Sequence, residues 1–265
     1  MLRTRLATAA VGLPGIWLLV EFLPDALFAT FIGIVVAIAL YEYFTMALGE
    51  HPLERAVGMV WGLIVAAGVI SRRPELWGAG LGAAVIGGLA LSLTRPADLA
   101  GAINRLGLML LGVLYVGFFT PHIVVLRGEP QGWRWVLFTV YVAMGSDTGG
   151  YFAGRAWGRH NLAPGISPGK TVEGSIGAVG GAIVIAVLCR FIFFRTLPLS
   201  HALGCAVAIS ALAQLGDLCE SALKRAFGAK DSGWIIPGHG GILDRLDSLL
   251  FPFVFAAYFA AIAQG

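Results

Sequence analysis

The sequence has little charge for its length. Charged residues make up 12% of its 265 residues, against about 25% in soluble domains, whereas hydrophobic residues make up 58%. The mean hydropathy is +0.83. A soluble fold could not bury that much apolar surface, so the composition excludes one. The formal net charge of +3 is also too small to indicate nucleic-acid binding.

Cysteine is scarce as well. Cys189, Cys205 and Cys219 show neither a CxxC pattern nor zinc-like spacing, and we interpret them as packing residues. Low-complexity linkers and internal repeats are lacking, which favours a single membrane domain. Within it, residues 1–140 are mainly a hydrophobic helical scaffold, and residues 141–250 form the expected catalytic region with two polar loops.

Long apolar stretches dominate what remains. Each has roughly 17 to 22 residues, enough for a helix to cross about 30 Å of hydrocarbon. They predict an all-α polytopic membrane protein with about nine spans. The predicted spans are Leu6–Leu23, Ala26–Tyr43, Ala56–Ser71, Leu76–Leu93, Leu106–Leu126, Trp135–Phe152, Ser175–Phe194, Leu199–Cys219 and Leu246–Ala263. The first lacks a clear cleavage site, so we expect a span and not a signal peptide.

The placement of basic residues predicts the orientation. With nine alternating spans, the N-terminus and the loops near residues 50, 100, 160 and 230 share one side. That side holds about 12 of the 18 Lys and Arg residues, so the positive-inside rule makes it cytoplasmic. Both long polar segments, Gly154–Gly174 and Glu220–Arg245, then face the cytoplasm, where nucleotides are available.

Carboxylates inside or beside apolar spans are costly and indicate function. Asp147 lies in the sixth predicted span, and Asp217 and Glu220 close the eighth. Asp244 and Asp247 are spaced i, i+3, so both lie on one face of a helix start. Together with Asp217, and with Asp147 as a further candidate, they predict oxygen ligands for Mg²⁺. The alternative is an interfacial cap with a salt bridge from Asp244 to Arg245.

Two polar segments supply basic groups and glycines. After the eighth span come Ser221, Lys224, Arg225, Lys230, Asp231, His239, Gly240 and Gly241. The bases suit a lipid phosphate or anionic headgroups, and the glycines suit an anion or a plain turn. The earlier segment contains Ser167, Lys170 and Thr171 just before a helix. It is not a P-loop, because Pro164 replaces the first glycine, but it predicts a phosphate-binding lysine and hydroxyls.

This pattern resembles the phosphatidate cytidylyltransferase family. The matching residues are Ser221, Lys224, Arg225, Lys230, Asp231, Gly233, Pro237, His239, Gly240, Gly241, Asp244, Arg245 and Asp247. Two shorter elements also match, namely Ser167, Pro168, Lys170, Thr171, Glu173 and Gly174, and Asp147, Tyr151 and Gly154. Gly169 departs from the family, where a second lysine is usual, so Lys170 alone would grip the triphosphate.

The resemblance implies a multi-pass enzyme of the bacterial inner membrane, homodimeric and dependent on Mg²⁺, with a second metal or K⁺ as an assistant. The reaction would convert CTP and phosphatidate to CDP-diacylglycerol and pyrophosphate. We expect Asp217, Asp244 and Asp247 to hold metal. Lys230, with Ser167, Lys170 and Thr171, would hold the triphosphate. The expected lipid-phosphate ligands are Lys224 and Arg225, and Ser221, Asp231, His239, Gly240, Gly241 and Arg245 complete the expected site.

Two other functions fit parts of the pattern. Buried carboxylates among many helices also mark proton- or ion-coupled transporters, although those usually show repeated halves. A CTP-dependent lipid kinase would use related nucleotide-binding elements but would release CDP. Identifying the leaving group distinguishes the kinase from the cytidylyltransferase.

Overall fold

The computed structural model describes residues 14–233 and 240–264, and most of them are helical. The helices are α1 (residues 14–22), α2 (Asp25–Leu48), α3 (Pro52–Ile70), α4 (Pro74–Leu93), α5 (Leu99–Gly112), α6 (His122–Arg127), α7 (Gly132–Trp157), α8 (Val172–Ile192), α9 (Leu199–Ala226), α10 (Leu243–Leu246) and α11 (Leu250–Gln264). A 3₁₀ turn at Pro96–Asp98 precedes α5, and a π-helical turn at Val113–Phe118 follows it. The strands β1 (Asn161–Ala163) and β2 (Ser167–Thr171) lie between α7 and α8.

Six helical segments among the described residues are long and apolar enough to cross a membrane, which supports a multi-pass helical membrane protein. They are α2, α3, α4, Pro96–Arg127, α8 and α9. The predicted count of nine is not confirmed. Helix α7 contains a polar stretch at residues 145–150, and α11 has only 15 residues. The first predicted span begins outside the described residues.

The predicted fifth span, Leu106–Leu126, is not one continuous α-helix. Helix α5 passes into the π-helical turn, and α6 starts again after Pro121. Proline has no N–H to donate, so it ends the regular helical hydrogen-bond ladder. Apolar length alone could not reveal this break.

The polar segment before α8 also differs from the expected plain loop. Strands β1 and β2 form an antiparallel hairpin in which Asn161 faces Thr171 and Ala163 faces Ser167. The Thr171 hydroxyl accepts a hydrogen bond from the N–H of Gly174 at 3.1 Å and so caps α8. The hairpin therefore delivers its residues directly onto a helix start.

Helices α7 and α8 pack almost backbone to backbone. A Cβ at Gly149 would lie 2.5 Å from the carbonyl oxygen of Gly177, and a Cβ at Gly145 would lie 3.1 Å from that of Gly181. Small residues permit this approach, as in membrane helix pairs. The contact fixes the two helices that the hairpin joins.

Large side chains fill the interior between α2, α7 and α9. Trp135, Phe138, Tyr43 and Phe44 are fully buried, and the Tyr43 hydroxyl donates to the carbonyl of Leu108 at 3.0 Å. The predicted packing cysteines agree with this picture, because Cys189 and Cys205 are buried in helices and Cys219 is half-buried.

Candidate active site

A cavity of about 500 Å³ opens between α7, α8, α9 and the hairpin. Its lining combines small residues with polar ones: Ser146, Asp147, Gly150, Tyr151, Gly154, Arg155, Leu162, Gly169, Lys170, Thr171, Gly174, Ser175, Ala178, Gln214 and Asp217. Small residues leave volume, while the polar residues place charge at the ends of apolar helices. The cavity is thus suited to a polar ligand.

Lys170 on β2 and Asp217 on α9 form the central ion pair of this cavity. Their Nζ and Oδ2 atoms lie 2.6 Å apart, and the side chains keep 26% and 35% of their surface exposed. The Ser221 hydroxyl approaches Asp217 Oδ1 at 3.4 Å. Both charged groups face the cavity. An incoming phosphate could therefore replace Asp217 as the partner of Lys170, and an incoming cation could replace Lys170 as the partner of Asp217.

Glu173 fastens the base of the hairpin. One carboxylate oxygen accepts the backbone N–H of Arg159 at 3.0 Å, and the other pairs with His160 Nδ1 at 2.6 Å. The backbone N–H of Val172 donates to the carbonyl of His160 at 2.9 Å. These bonds hold Lys170 and Thr171 in place relative to α8. His160 therefore has a structural partner in Glu173.

A hydroxyl and amide network that sequence reasoning missed lies in the wall of the cavity. Ser146 and Ser210, on α7 and α9, share a hydrogen bond of 2.8 Å, and Gln214 donates to Ser210 at 3.1 Å. Ser175 on α8 donates to Gln214. The network links three helices beside Asp147. Its signal in the sequence is a polar residue in each of three otherwise apolar spans.

Asp247 lies after α10 and is close enough to Asp217 for their charges to interact. The backbone N–H of Ser248 donates to Asp247 at 2.6 Å. The negative charges of Asp217 and Asp247 also act on Asp147. Asp147 and Asp217 line the cavity, whereas Asp247 lies outside its lining.

Asp244 has a different environment. Its Oδ1 lies 2.6 Å from Lys224 Nζ, and its Oδ2 accepts the N–H and hydroxyl of Ser232 at 2.9 Å each and the N–H of Gly241 at 2.8 Å. Burial alone would raise the pKa of Asp244, but these bonds lower it to about 2. Asp244 is thus bound to the described parts of the α9–α10 loop (residues 227–233 and 240–242, called the α9–α10 loop below). Lys224 is therefore an ion-pair partner of Asp244, and the alternative of an interfacial salt bridge to Arg245 stays a prediction.

Lys224 itself is enclosed by acids. Besides Asp244, its Nζ lies 2.7 Å from Glu220 Oε2, and only 14% of its side chain is exposed. The described residues contain no group of three His, Cys, Asp or Glu side chains close enough to hold a metal ion. The convergence of Asp217, Asp244 and Asp247 on one cation stays a prediction.

The remaining predicted residues lie on the hairpin and in or near the α9–α10 loop. Arg225, Lys230, Asp231 and Arg245 are exposed, Ser167 is half-buried on β2, and Gly240 has a positive φ of 79°. Arg245 also borders an apolar groove of about 450 Å³ that includes Leu246, Leu249 and Phe253. His239 lies outside the described residues. Their roles as substrate ligands stay predictions.

Glu42 on α2 is the largest omission of the sequence reasoning. It is 3% exposed, and its carboxylate accepts the backbone N–H groups of Ile242 at 3.0 Å and Leu243 at 2.9 Å. An acidic residue within an apolar span was the available signal, but its partner lies 200 positions away.

Comparisons with known proteins show which family the chain belongs to. The model of a family described as the cytidylyltransferase family matches residues 3–263. A protein named phosphatidate cytidylyltransferase from Brucella suis is 35% identical over 269 aligned positions, covering 98% of this chain and 94% of that one. Proteins of the same name from Bacillus subtilis and Staphylococcus haemolyticus are 39% and 42% identical, over 60% and 54% of each chain.

Proposed function

Because the chain belongs to the cytidylyltransferase family, we propose that it transfers the cytidylyl group of CTP to phosphatidate. The products are CDP-diacylglycerol and pyrophosphate. The observation that carries the proposal is the cavity in which Lys170 from the hairpin meets Asp217 at the end of an apolar helix. That position suits a reaction between a water-soluble nucleotide and a lipid headgroup.

The chemistry needs charge control more than proton transfer. A phosphate oxygen of phosphatidate attacks the α-phosphorus of CTP, a new P–O bond forms, and the bond to pyrophosphate breaks. The attacking oxygen is already anionic near neutral pH, so a strong general base is unnecessary. Catalysis then rests on positioning and on neutralising negative charge. Lys170 is placed to do this at the triphosphate, with Ser167, Thr171 and Lys230 as further ligands.

A divalent cation would have to complete its ligands with substrate phosphates and water, because no three acidic side chains of the described residues lie close enough to hold one by themselves. Asp147, Asp217 and Asp247 interact electrostatically, and carboxylates with phosphate oxygens and water are what Mg²⁺ prefers. When bound, Mg²⁺ would neutralise the reacting phosphates. Asp244 could join only by giving up Lys224 or its loop bonds. K⁺ or a second metal belongs to the same proposal.

The lipid phosphate would meet the basic residues near the α9–α10 loop. Arg225 and Arg245 are exposed there, and the groove beside Arg245 could receive an apolar chain. Lys224 pairs with Glu220 and Asp244, so it would bind the lipid phosphate while it keeps these ion pairs. Ser221, Asp231, His239, Gly240 and Gly241 complete the proposed surroundings.

We also propose that both polar segments face the cytoplasm, that the N-terminus lies on the same side, and that the protein functions as a homodimer in a bacterial inner membrane. The nine-span topology is part of this proposal. Its basis is the distribution of Lys and Arg together with the resemblance. Accessibility of an introduced cysteine at Gly165 in the hairpin turn, measured in intact cells against inverted vesicles, tests the orientation.

The test of function is an assay of the purified protein in detergent with CTP, phosphatidate and Mg²⁺. We expect equal amounts of pyrophosphate and CDP-diacylglycerol, and no product when phosphatidate is omitted. Release of CDP with a phosphorylated polyprenol, in place of pyrophosphate, would reassign the protein as a CTP-dependent lipid kinase. The family match decides against the transporter considered from sequence.

A further inference from the structure

Glu42 connects the first half of the chain to the α9–α10 loop. Its Oε1 accepts the N–H of Ile242 at 3.0 Å, and its Oε2 accepts the N–H of Leu243 at 2.9 Å. The hydroxyl of Ser232 lies 3.4 Å from Oε2. Both oxygens therefore receive donors from the loop. A buried carboxylate is costly without such bonds, so Glu42 and the loop depend on each other.

The loop sits tightly on this carboxylate. A Cβ at Gly233 would lie 2.6 Å from Glu42 Oε1, and a Cβ at Gly241 would lie 2.5 Å from Oε2. Real Cβ atoms do not approach that closely. The two glycines, one on each side of residues 234–239, let the described backbone approach Glu42 closely.

The contact continues to the acidic residues of the proposed site. The Ser232 hydroxyl that faces Glu42 also donates to Asp244 Oδ2 at 2.9 Å. Leu243 is a second link. Its backbone N–H donates to Glu42, and its carbonyl accepts the backbone N–H of Asp247 at 3.1 Å. A shift at Glu42 would therefore move both Asp244 and Asp247.

We propose that Glu42 is a positioning residue that sets the placement of the α9–α10 loop, and through it the placement of Asp244 and Asp247, for cytidylyl transfer. Glu42 touches the loop backbone and acts through other residues. The kinetic part of this inference rests on the proposed function, but the structural part does not. The inference assigns a role in the site to the first half of the chain, which the sequence predicts to be only a hydrophobic scaffold.

The decisive variants are Glu42→Gln and Glu42→Asp. Glutamine has the same shape but only one acceptor oxygen, so its NH₂ group would face a backbone N–H. Aspartate keeps both acceptors at the cost of one methylene. We expect Glu42→Gln to lower kcat about 10- to 100-fold, as for residues that orient metal ligands, with partial recovery in Glu42→Asp. A space-filling role would instead be met equally well by glutamine.

The matched control is Glu54→Gln. Glu54 is also a buried carboxylate of the first half, 5% exposed, but it pairs with Arg95 at 2.7 Å and Arg105 at 3.2 Å. This variant should lower the melting temperature without lowering kcat per folded enzyme. If Glu42→Gln does not fold, Gly241→Ala perturbs the same contact from the loop side and should lower kcat likewise.

Hydrogen exchange followed by mass spectrometry tests the contact without any substrate. Glu42→Gln should speed exchange in the peptide covering residues 240–246, and Glu54→Gln should not. Unchanged exchange there, together with a kcat for Glu42→Gln within about twofold of the parent, would overturn the inference. If the parent protein forms no CDP-diacylglycerol, the proposed function fails, while the exchange result still decides whether Glu42 holds the loop.

Discussion

On the hairpin side of the site, Lys170 and Asp217 pair at 2.6 Å while 26% and 35% of their side-chain surface stays exposed. On the loop side, Lys224 and Asp244 pair at the same 2.6 Å with only 14% and 7% exposed. The residue types and the distance are alike, but the surroundings differ. The first pair borders a cavity and can exchange partners with a ligand. In the second pair, Asp244 already accepts hydrogen bonds from Ser232 and Gly241 in addition to its contact with Lys224.

The comparison indicates that one acidic residue of the proposed site can take part in the reaction, while another holds the nearby loop in place. Asp244 receives three hydrogen bonds from Ser232 and Gly241 in addition to Lys224. Asp217 instead pairs with Lys170 and has one long contact from the Ser221 hydroxyl among the described residues. Replacing each acid should therefore produce different losses, and measuring both activity and stability separates them.

The largest expected effect is on the hairpin side. Asp217→Asn should lower kcat about 10²- to 10³-fold, because a preorganised charge in a low-dielectric site is lost. Its melting temperature should hardly change, since the side chain is partly exposed. Pyrophosphate release and thermal unfolding in detergent measure the two. Asp25→Asn, which alters an exposed acid paired with Arg127 at 2.8 Å, is the control and should retain activity. Equal activity in both variants would remove Asp217 from the proposed site.

A smaller effect, and one on stability, is expected on the loop side. Asp244→Ala removes a charged partner of Lys224 and three loop hydrogen bonds, and should reduce the free energy of unfolding by about 2–3 kcal/mol. The measurement is denaturant or thermal unfolding monitored by tryptophan fluorescence. If the Asp244→Ala protein were as stable as the parent but inactive, Asp244 would act in the reaction as Asp217 does. The contrast between the two sides would then be wrong.

The smallest of the three concerns Lys170. Lys170→Ala should raise the KM for CTP about 10-fold and the KM for phosphatidate less, because a charge-assisted bond to the triphosphate is lost. Initial rates with each substrate varied in turn provide the measurement. Arg159→Ala is the matched control, since only its backbone N–H contacts Glu173. An equal rise of both KM values would move Lys170 away from the nucleotide.

Much of the helical architecture could be predicted because apolar runs and their lengths are local properties. The helix start after Thr171 could be predicted for the same reason, since the capping hydroxyl and Gly174 are three residues apart. The break near Pro121 was hidden within an uninterrupted apolar run. The roles of Glu42 and Asp244 were also hidden, because each depends on which distant backbone groups reach the carboxylate, and residue spacing does not encode that.

The close packing of α7 against α8 also limits how the chain can vary. Where Gly150 faces Gly174, a Cβ at Gly174 would lie 3.0 Å from the Gly150 carbonyl oxygen, so the wall of the cavity there is peptide backbone and has no side chain to move aside or to shorten. A bulkier substrate headgroup could not be accommodated by trimming that wall. Adaptation to new substrates would have to come from positions where side chains form the boundary, such as Tyr151 on α7, Leu162 on the hairpin and Gln214 on α9.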